Sequence, residues 1–345
     1  MTILWHAFRW CCCLGLFLLS VLTAAGLGGG LDPRLDVLTH FAPIYLGLGG
    51  VGLLLAPFLG GVLRLVAGGL GLTAVLASGA LIAPELLSVD RSLPGAAGPA
   101  DLKIIQFNAL ASNRVKEGAA AWLIRQEPDI IVLEEPGGLE RLIARTGDYK
   151  RVQGSLSTVI LAKEMPVGAN SILWPLPRIL SPVTVATLSD RRGDYAIIGI
   201  HRPWPMNIDE IAGQEAYLRR MVRSFGAETT IVAGDFNSTP WSFDRRREDR
   251  TMGLTRRTRA LFSWPADRVS HNRFPISAPV LPIDHVYAGS GWRTVSVERG
   301  PRLGSDHYPV IVVLTPASAD GWLPAAKRDG DARLTALAYK RPARD

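Results

Sequence analysis

Four short stretches set carboxylates, most with an Asn or His beside them, in apolar, strand-like frames: Val132-Leu133-Glu134-Glu135, Gly234-Asp235-Phe236-Asn237, Ile283-Asp284-His285 and Ser305-Asp306-His307. Oxygen-bearing side chains suit a hard divalent cation, which keeps several waters and needs only one or two protein carboxylates. A His held by a carboxylate keeps one tautomer and can carry positive charge opposite a phosphate. The chemistry these types support together is metal-assisted hydrolysis of a phosphate ester. Taken singly, each stretch has a plainer reading: Asp-Phe-Asn makes a capped turn, and paired glutamates at a strand end usually face solvent.

Positioning such groups takes strand ends, where a sheet can present side chains while its core stays packed. Strand-like runs fall at Leu102-Lys-Ile-Ile-Gln-Phe-Asn108, Asp129-Ile-Ile-Val-Leu-Glu-Glu135, Pro182 to Leu188, Tyr195 to His201, Thr229 to Asp235, Ile283 to Tyr287, Thr294 to Glu298 and Tyr308 to Leu314. Helical patterning covers Asn113 to Gln126, and Ile208 to Phe225 with one apolar face. Alternating strands and helices argue for a single α/β domain over residues 101–316. If the extended geometry runs on through Gly234-Asp235-Phe236-Asn237, Asp235 and Asn237 share a face and Phe236 enters the core.

The first hundred residues have a different texture. Three apolar runs, at about 10–30, 41–63 and 65–84, are each long enough to cross a bilayer, and Arg64 is expected to divide the last two. Residues 1–90 therefore read as a membrane region with three transmembrane helices, residues 91–100 as a Pro/Gly/Ala-rich linker, and residues 317–345 as a disordered tail. Arg9 and Arg64 mark the cytoplasmic side, so an odd number of crossings puts the catalytic domain on the other side. The expected location is a bacterial inner membrane, with the domain extracytoplasmic and the bilayer as a partner of the helices.

Four basic and four acidic residues balance in residues 1–100, so the net charge of +7 belongs to the remainder. That excess suits an anionic partner. Seven arginines between Asp244 and Arg259 form either a solvated face or an anion-binding patch. The three cysteines, Cys11 to Cys13, all lie in the first apolar run, which excludes disulfides and Cys-based metal sites from the soluble part. The apolar runs hold no acidic or basic residue to mark an ion path, which argues against a transporter.

The motifs in their order resemble the endonuclease/exonuclease/phosphatase superfamily of deoxyribonuclease I-like enzymes. The resemblance rests on Lys103-Ile-Ile-Gln-Phe-Asn108, Pro128 to Glu135, Ile200-His201-Arg-Pro, Gly234-Asp235-Phe236-Asn237, Ile283-Asp284-His285 and Gly304-Ser305-Asp306-His307. It implies a four-layer αββα sandwich: two packed mixed β-sheets flanked by helices, here preceded by the three transmembrane helices. It also implies Mg²⁺, with Mn²⁺ as a substitute, held by Glu135 with Asn108 and supported by Asp306. Asp235 would orient or deprotonate the attacking water. Asn237 and Asn108 would contact the substrate phosphate. His307 paired with Asp284, and His201 beside them, would complete the catalytic set.

Two positions depart from the family pattern. Glu134 stands where a Gln is usual, and either adds charge beside the metal or faces solvent. Leu110 stands where members that cleave abasic DNA carry a carboxylate. The reading is a membrane-anchored phosphodiesterase of nuclease type, with a phospholipid or other membrane-proximal phosphoester as the alternative substrate. A tethered domain that only binds is the rival of another class; it should have lost some of these side chains, and none is replaced.

Overall fold

The computed structural model describes residues 2–87, 98–152, 157–164, 168–172, 183–266 and 278–318. Most of the linker and nearly all of the tail expected from the sequence lie outside them. The chain forms two compact units. One comprises Met1–Val89 with Ser238–Glu248, the other Asp90–Asn237 with Asp249–Asp345.

The helical unit is built from α1 (Thr2–Leu27), the short α2 (Pro33–Asp36), α3 (Ala42–Leu59) and α4 (Gly61–Leu86). Three segments, Ile3–Gly30, Pro33–Leu59 and Gly61–Leu86, are long and apolar enough to cross a membrane. Small residues let the helices approach: a Cβ on Gly52 would lie 2.4 Å from Leu16 Cδ2, and one on Gly71 would lie 3.0 Å from the Gly49 carbonyl oxygen. The break expected at Arg64 falls instead at Gly60-Gly61. Both take positive φ (66° and 54°), open to glycine without penalty, and Arg64 rides in the first turn of α4. Arg9 Nη2 donates to the Gly60 carbonyl at 3.1 Å, closing that end of the bundle.

At the other end, Asp36 caps a helix more than two hundred residues downstream. Its Oδ1 and Oδ2 accept from the backbone amides of Phe243 and Asp244, each at 2.8 Å, at the start of α8 (Phe243–Thr251). His40 Nδ1 meets Thr239 Oγ1 at 2.8 Å, and Arg246 Nη2 donates to the Leu81 carbonyl at 2.5 Å.

The second unit carries helices α5 (Lys116–Arg125), α6 (Leu139–Thr146) and α7 (Ile208–Phe225). Its strands are β1 (Leu102–Asn108), β2 (Ile130–Glu134), β3 (Lys150–Val152), β4 (Thr158–Ala162), β5 (Gly168–Ile172), β6 (Val183–Asp190), β7 (Gly193–His201), β8 (Thr230–Asp235), β9 (Thr255–Arg256), β10 (Asp284–Ala288), β11 (Trp292–Arg299) and β12 (Val310–Pro316). They form two six-stranded mixed sheets, ordered β11-β12-β1-β2-β4-β3 and β5-β6-β7-β8-β10-β9.

Alternation along each strand sorts the apolar residues into layers. Ile104, Ile130, Val132 and Val312 of the first sheet meet Ile197, Ile231, Ala233 and Val286 of the second in the central core. The odd residues Ile105, Phe107, Ile131 and Leu133 turn outward and pack on Ala120, Leu123, Leu139 and Ile143 of α5 and α6. Ile198, Ile200 and Val232 do the same against Leu218, Met221 and Val222 of α7. The result is the expected helix-sheet-sheet-helix sandwich. Each fully buried aliphatic side chain adds about 1.5–3 kcal/mol of hydrophobic stabilisation.

The arginine stretch is mostly structural. Arg245 pairs with Glu248, Arg247 with Asp244, and Arg256 with Asp249 at 3.2 Å. Arg257 Nη2 donates to the carbonyls of Ala288, Gly289 and Trp292 at 3.1, 2.9 and 3.0 Å. With Arg246 also engaged, at least five of the seven guanidinium groups are bonded within the protein, which disfavours an open anion patch.

Candidate active site

The alternation that builds the central core also delivers the polar groups. In β1 the inward positions 102 and 104 are followed by Gln106 and Asn108; in β2, 130 and 132 are followed by Glu134. In β7 and β8 the inward series ends at His201 and Asp235, and in β10 it begins at Asp284. Register brings these ends together, because Asn108 lies opposite Glu134, His201 opposite Asp235, and Asp284 opposite Asp235. Five strands from two sheets thus end a hydrophobic series in a polar residue at one end of the sandwich.

Gly234 makes the crowding possible. A Cβ there would sit 1.8 Å from the Ile200 carbonyl oxygen, so only glycine fits beside β7. The turn before β12 supplies the remaining groups. Ser305 Oγ donates to the Asn108 carbonyl at 2.7 Å and accepts from the His307 amide at 3.1 Å, which pins Asp306 and His307 over the strand ends.

Asp235 Oδ2 is the hub. Asn108 Nδ2 donates to it at 3.0 Å, and the Nε2 atoms of His201 and His307 both lie 3.7 Å away. Its other oxygen accepts from the Asn237 amide at 2.8 Å. His307 Nδ1 lies 2.8 Å from Asp284 Oδ2, so the imidazole is held from behind and presents Nε2 to Asp235. Burial opposes the charge on His307, but the carboxylates of Asp284, Asp235 and Asp306 outweigh it and raise its pKa to about 10. His307 is therefore an imidazolium at neutral pH. Burial lifts the Asp235 carboxyl above its ordinary range, with His307 and His201 pulling it back.

Two further groups lie beneath this layer: Gln106, to which sequence reasoning gave no role, and Glu134, which it left either adding charge beside the metal or facing solvent. Gln106 Nε2 donates to Glu134 Oε2 at 2.7 Å and to Asp284 Oδ1 at 2.9 Å. Glu134 is fully buried rather than solvent-facing, and burial together with the Asp284 charge pushes its carboxyl well above the usual range. The signal was present in the period of two, which puts 106 and 134 on the same inward face as 104 and 132.

Other candidates sit at the rim. The strand stops at Asp235, and Asn237 takes φ 46°, so the shared face expected for the two does not form. Its side-chain amide donates to the Arg202 carbonyl at 2.8 Å, while Phe236 enters the core as expected. Asp306 Oδ2 accepts from Trp264 Nε1 at 3.2 Å. Glu135, at φ 45°, is partly exposed, and its oxygens lie 3.5 Å from the Ala111 amide and 4.0 Å from His201 Nε2.

Among the described residues, the acid and His groups close enough to share one cation are Asp235, Asp284 and His307, a set without Glu135. Of these, His307 Nδ1 is already engaged with Asp284 Oδ2 at 2.8 Å. Glu135 and Asn108 Oδ1, which accepts from the Leu110 amide at 3.2 Å, offer hard oxygen donors of the kind a divalent ion takes. The residues present fit such a metal.

The model of the Endonuclease/Exonuclease/phosphatase family matches residues 105–307. Solved structures share the fold at low identity. The endonuclease/exonuclease/phosphatase from Bacteroides vulgatus gives a TM-score of 0.52 at 16% identity, covering 63% of this chain and 99% of its own. The family protein from Bacteroides thetaiotaomicron gives 0.51 at 12%, covering 63% and 98%. Sphingomyelinase C from Streptomyces griseocarneus gives 0.46 at 17%, covering 62% and 99%. No curated protein sequence matches the chain.

Proposed function

The chain belongs to the endonuclease/exonuclease/phosphatase family, and from that premise we propose that it is a membrane-anchored, divalent-metal-dependent phosphodiesterase. The observation that carries the reading is the convergence on Asp235 Oδ2 of Asn108, His201 and His307, the last backed by Asp284.

In the mechanism, Asp235 takes a proton from a water whose oxygen attacks phosphorus in line with the leaving group. Its raised affinity for a proton suits it to that task. The His307 imidazolium offers Nε2–H to a phosphoryl oxygen as negative charge builds. His201 lies at the same distance from Asp235 on the side of Glu135 and supplies a second donor. The P–O ester bond breaks, and the departing oxygen collects a proton from the imidazolium or solvent. Asn108 orients Asp235, and Asn237 Nδ2 is within reach of the rim. Glu135 and Asn108, with Asp306 nearby, would hold Mg²⁺ or Mn²⁺, which supplies Lewis-acid stabilisation of phosphate charge.

Nucleic acid is the first substrate reading, supported by the positive charge of the soluble part. A lipid-headgroup phosphodiester is the second. It is supported by the three apolar helices and by Trp204 and Met206, which are 62% and 69% exposed on the segment that follows His201. Arg9 and Arg64 support an inner-membrane orientation with the domain outside the cytoplasm. The deciding experiment is turnover by the full chain on plasmid DNA, RNA, phospholipid vesicles and phosphomonoesters, with and without Mg²⁺. Absence of metal-dependent cleavage across that panel would refute the reading. A reporter fused after Asp345 tests orientation, and a strong cytoplasmic signal would overturn it.

A further inference from the structure

Gln106 and Glu134 lie behind the reacting groups rather than among them. Gln106 belongs to β1 in one sheet, and Asp284 to β10 in the other. The two hydrogens of one amide nitrogen go to two carboxylates, Glu134 Oε2 at 2.7 Å and Asp284 Oδ1 at 2.9 Å. A planar amide with both hydrogens so engaged has no rotational freedom left, and burial of Gln106, Glu134 and Asp284 leaves no solvent to compete. The Asp284 carboxylate is thereby gripped at both ends, by Gln106 on Oδ1 and by His307 on Oδ2. The series runs from Glu134 and Gln106 of the first sheet to Asp284 of the second, then through His307 in the turn before β12 to Asp235, also of the second.

Resting on the phosphodiesterase reading above, we propose that Gln106 is a positioning residue, set by Glu134, that fixes the plane of the Asp284 carboxylate and through it the aim of His307 Nε2. Glu134 serves as the acceptor that holds the Gln106 amide in register. A Gln at 134 keeps an acceptor oxygen for Gln106, whereas an aliphatic side chain does not. Without the grip on Oδ1, Asp284 can rotate about its side-chain torsions and His307 with it. A small displacement of a positioned group is enough to cost on the order of 10²-fold in rate.

The test uses the full chain in detergent micelles with bis(p-nitrophenyl) phosphate. Gln106→Met keeps the length of the side chain and removes the donor. It is expected to lower kcat by 10- to 100-fold while KM stays within about threefold. Glu134→Gln should stay within about threefold of wild type, and Glu134→Leu should follow Gln106→Met. Because both act through one carboxylate, adding Gln106→Met to Asp284→Asn should cost little more than Asp284→Asn alone.

Selective ¹⁵N labelling of the six histidines gives a readout that needs no turnover. The His307 Nδ1 signal, assigned by its loss in His307→Gln, should shift in Gln106→Met and hold in Glu134→Gln. Wild-type kcat in Gln106→Met, or losses that multiply in the double variant, overturn the proposal. So does an unmoved His307 signal, even if the wild-type chain cleaves no phosphodiester, an outcome that would count separately against the function. If Gln106→Met does not fold, Glu134→Leu against Glu134→Gln carries the same comparison.

Discussion

His307 Nδ1 lies 2.8 Å from Asp284 Oδ2, and this contact sets the protonation state of the site. With the neighbouring carboxylates it outweighs burial and raises His307 from 6.5 to about 10. A folded-state pKa above the unfolded value means stability that is fully present below about pH 6.5 and is lost as pH rises through about 10. Urea denaturation between pH 6 and 10.5 should show that decline in the wild type and a weaker one in His307→Gln. The alkaline limb of kcat should fall near pH 10, and Asp284→Asn should move it toward the ordinary histidine range. A limb unmoved by Asp284→Asn would contradict the pairing.

Replacing Asp235 by Asn removes the proton acceptor while keeping a partner for Asn108. We expect kcat to fall by about 10²–10⁴-fold with KM little changed, measured by steady-state cleavage of a phosphodiester. Chelation with EDTA should abolish turnover, and Mg²⁺ or Mn²⁺ should restore it. Glu135→Gln should raise the metal concentration needed for half-maximal rate by at least tenfold.

How far the sequence reveals this site depends on where regular geometry stops. Period-two alternation, read from Ile104 and Val132, is enough to put Asn108 inward and, followed one step further, to show Gln106 and Glu134 on the same face. It fails past Asp235 and Glu134, because Asn237 and Glu135 both take left-handed φ, 46° and 45°, and a non-glycine residue there costs of order 1–3 kcal/mol held by its surroundings. Long elements such as α7 were legible from their apolar face. The short β3, β4 and β9 were not, since a few residues of strand draw their stability from neighbours rather than from their own pattern. The arginine stretch misled for a related reason: charge on paper does not reveal that Glu248, Asp244 and Asp249 absorb it.

Gly234→Ala should be among the most damaging single-methyl changes in the protein. The added Cβ meets backbone oxygen rather than a yielding side chain, so the cost should lie at or beyond the upper end of about 1–3 kcal/mol for overpacking. Urea midpoints compared with Gly118→Ala, where nothing lies within 4 Å, give the contrast.

Asp36→Ala removes both acceptors for the Phe243 and Asp244 amides. Loss of such a cap costs about 0.5–2 kcal/mol and should appear as faster hydrogen exchange at those two amides. Asp32→Ala, which uncaps α2 at Arg34, serves as the control and should leave them unchanged.

The inclusion of Ser238–Glu248 with the N-terminal helices sets an order of assembly during synthesis. Asp36 and His40 are made 207 and 199 residues before Phe243 and Thr239, the partners they bond. In the interval the ribosome produces β1 through β8 and the whole of Gly234-Asp235-Phe236-Asn237. The unit begun first is therefore completed only after four of the five strands that end at the site have emerged, with β10 still to come, and a nascent chain stalled at Asn237 would already hold Asp235 while Asp36 still waited for its helix.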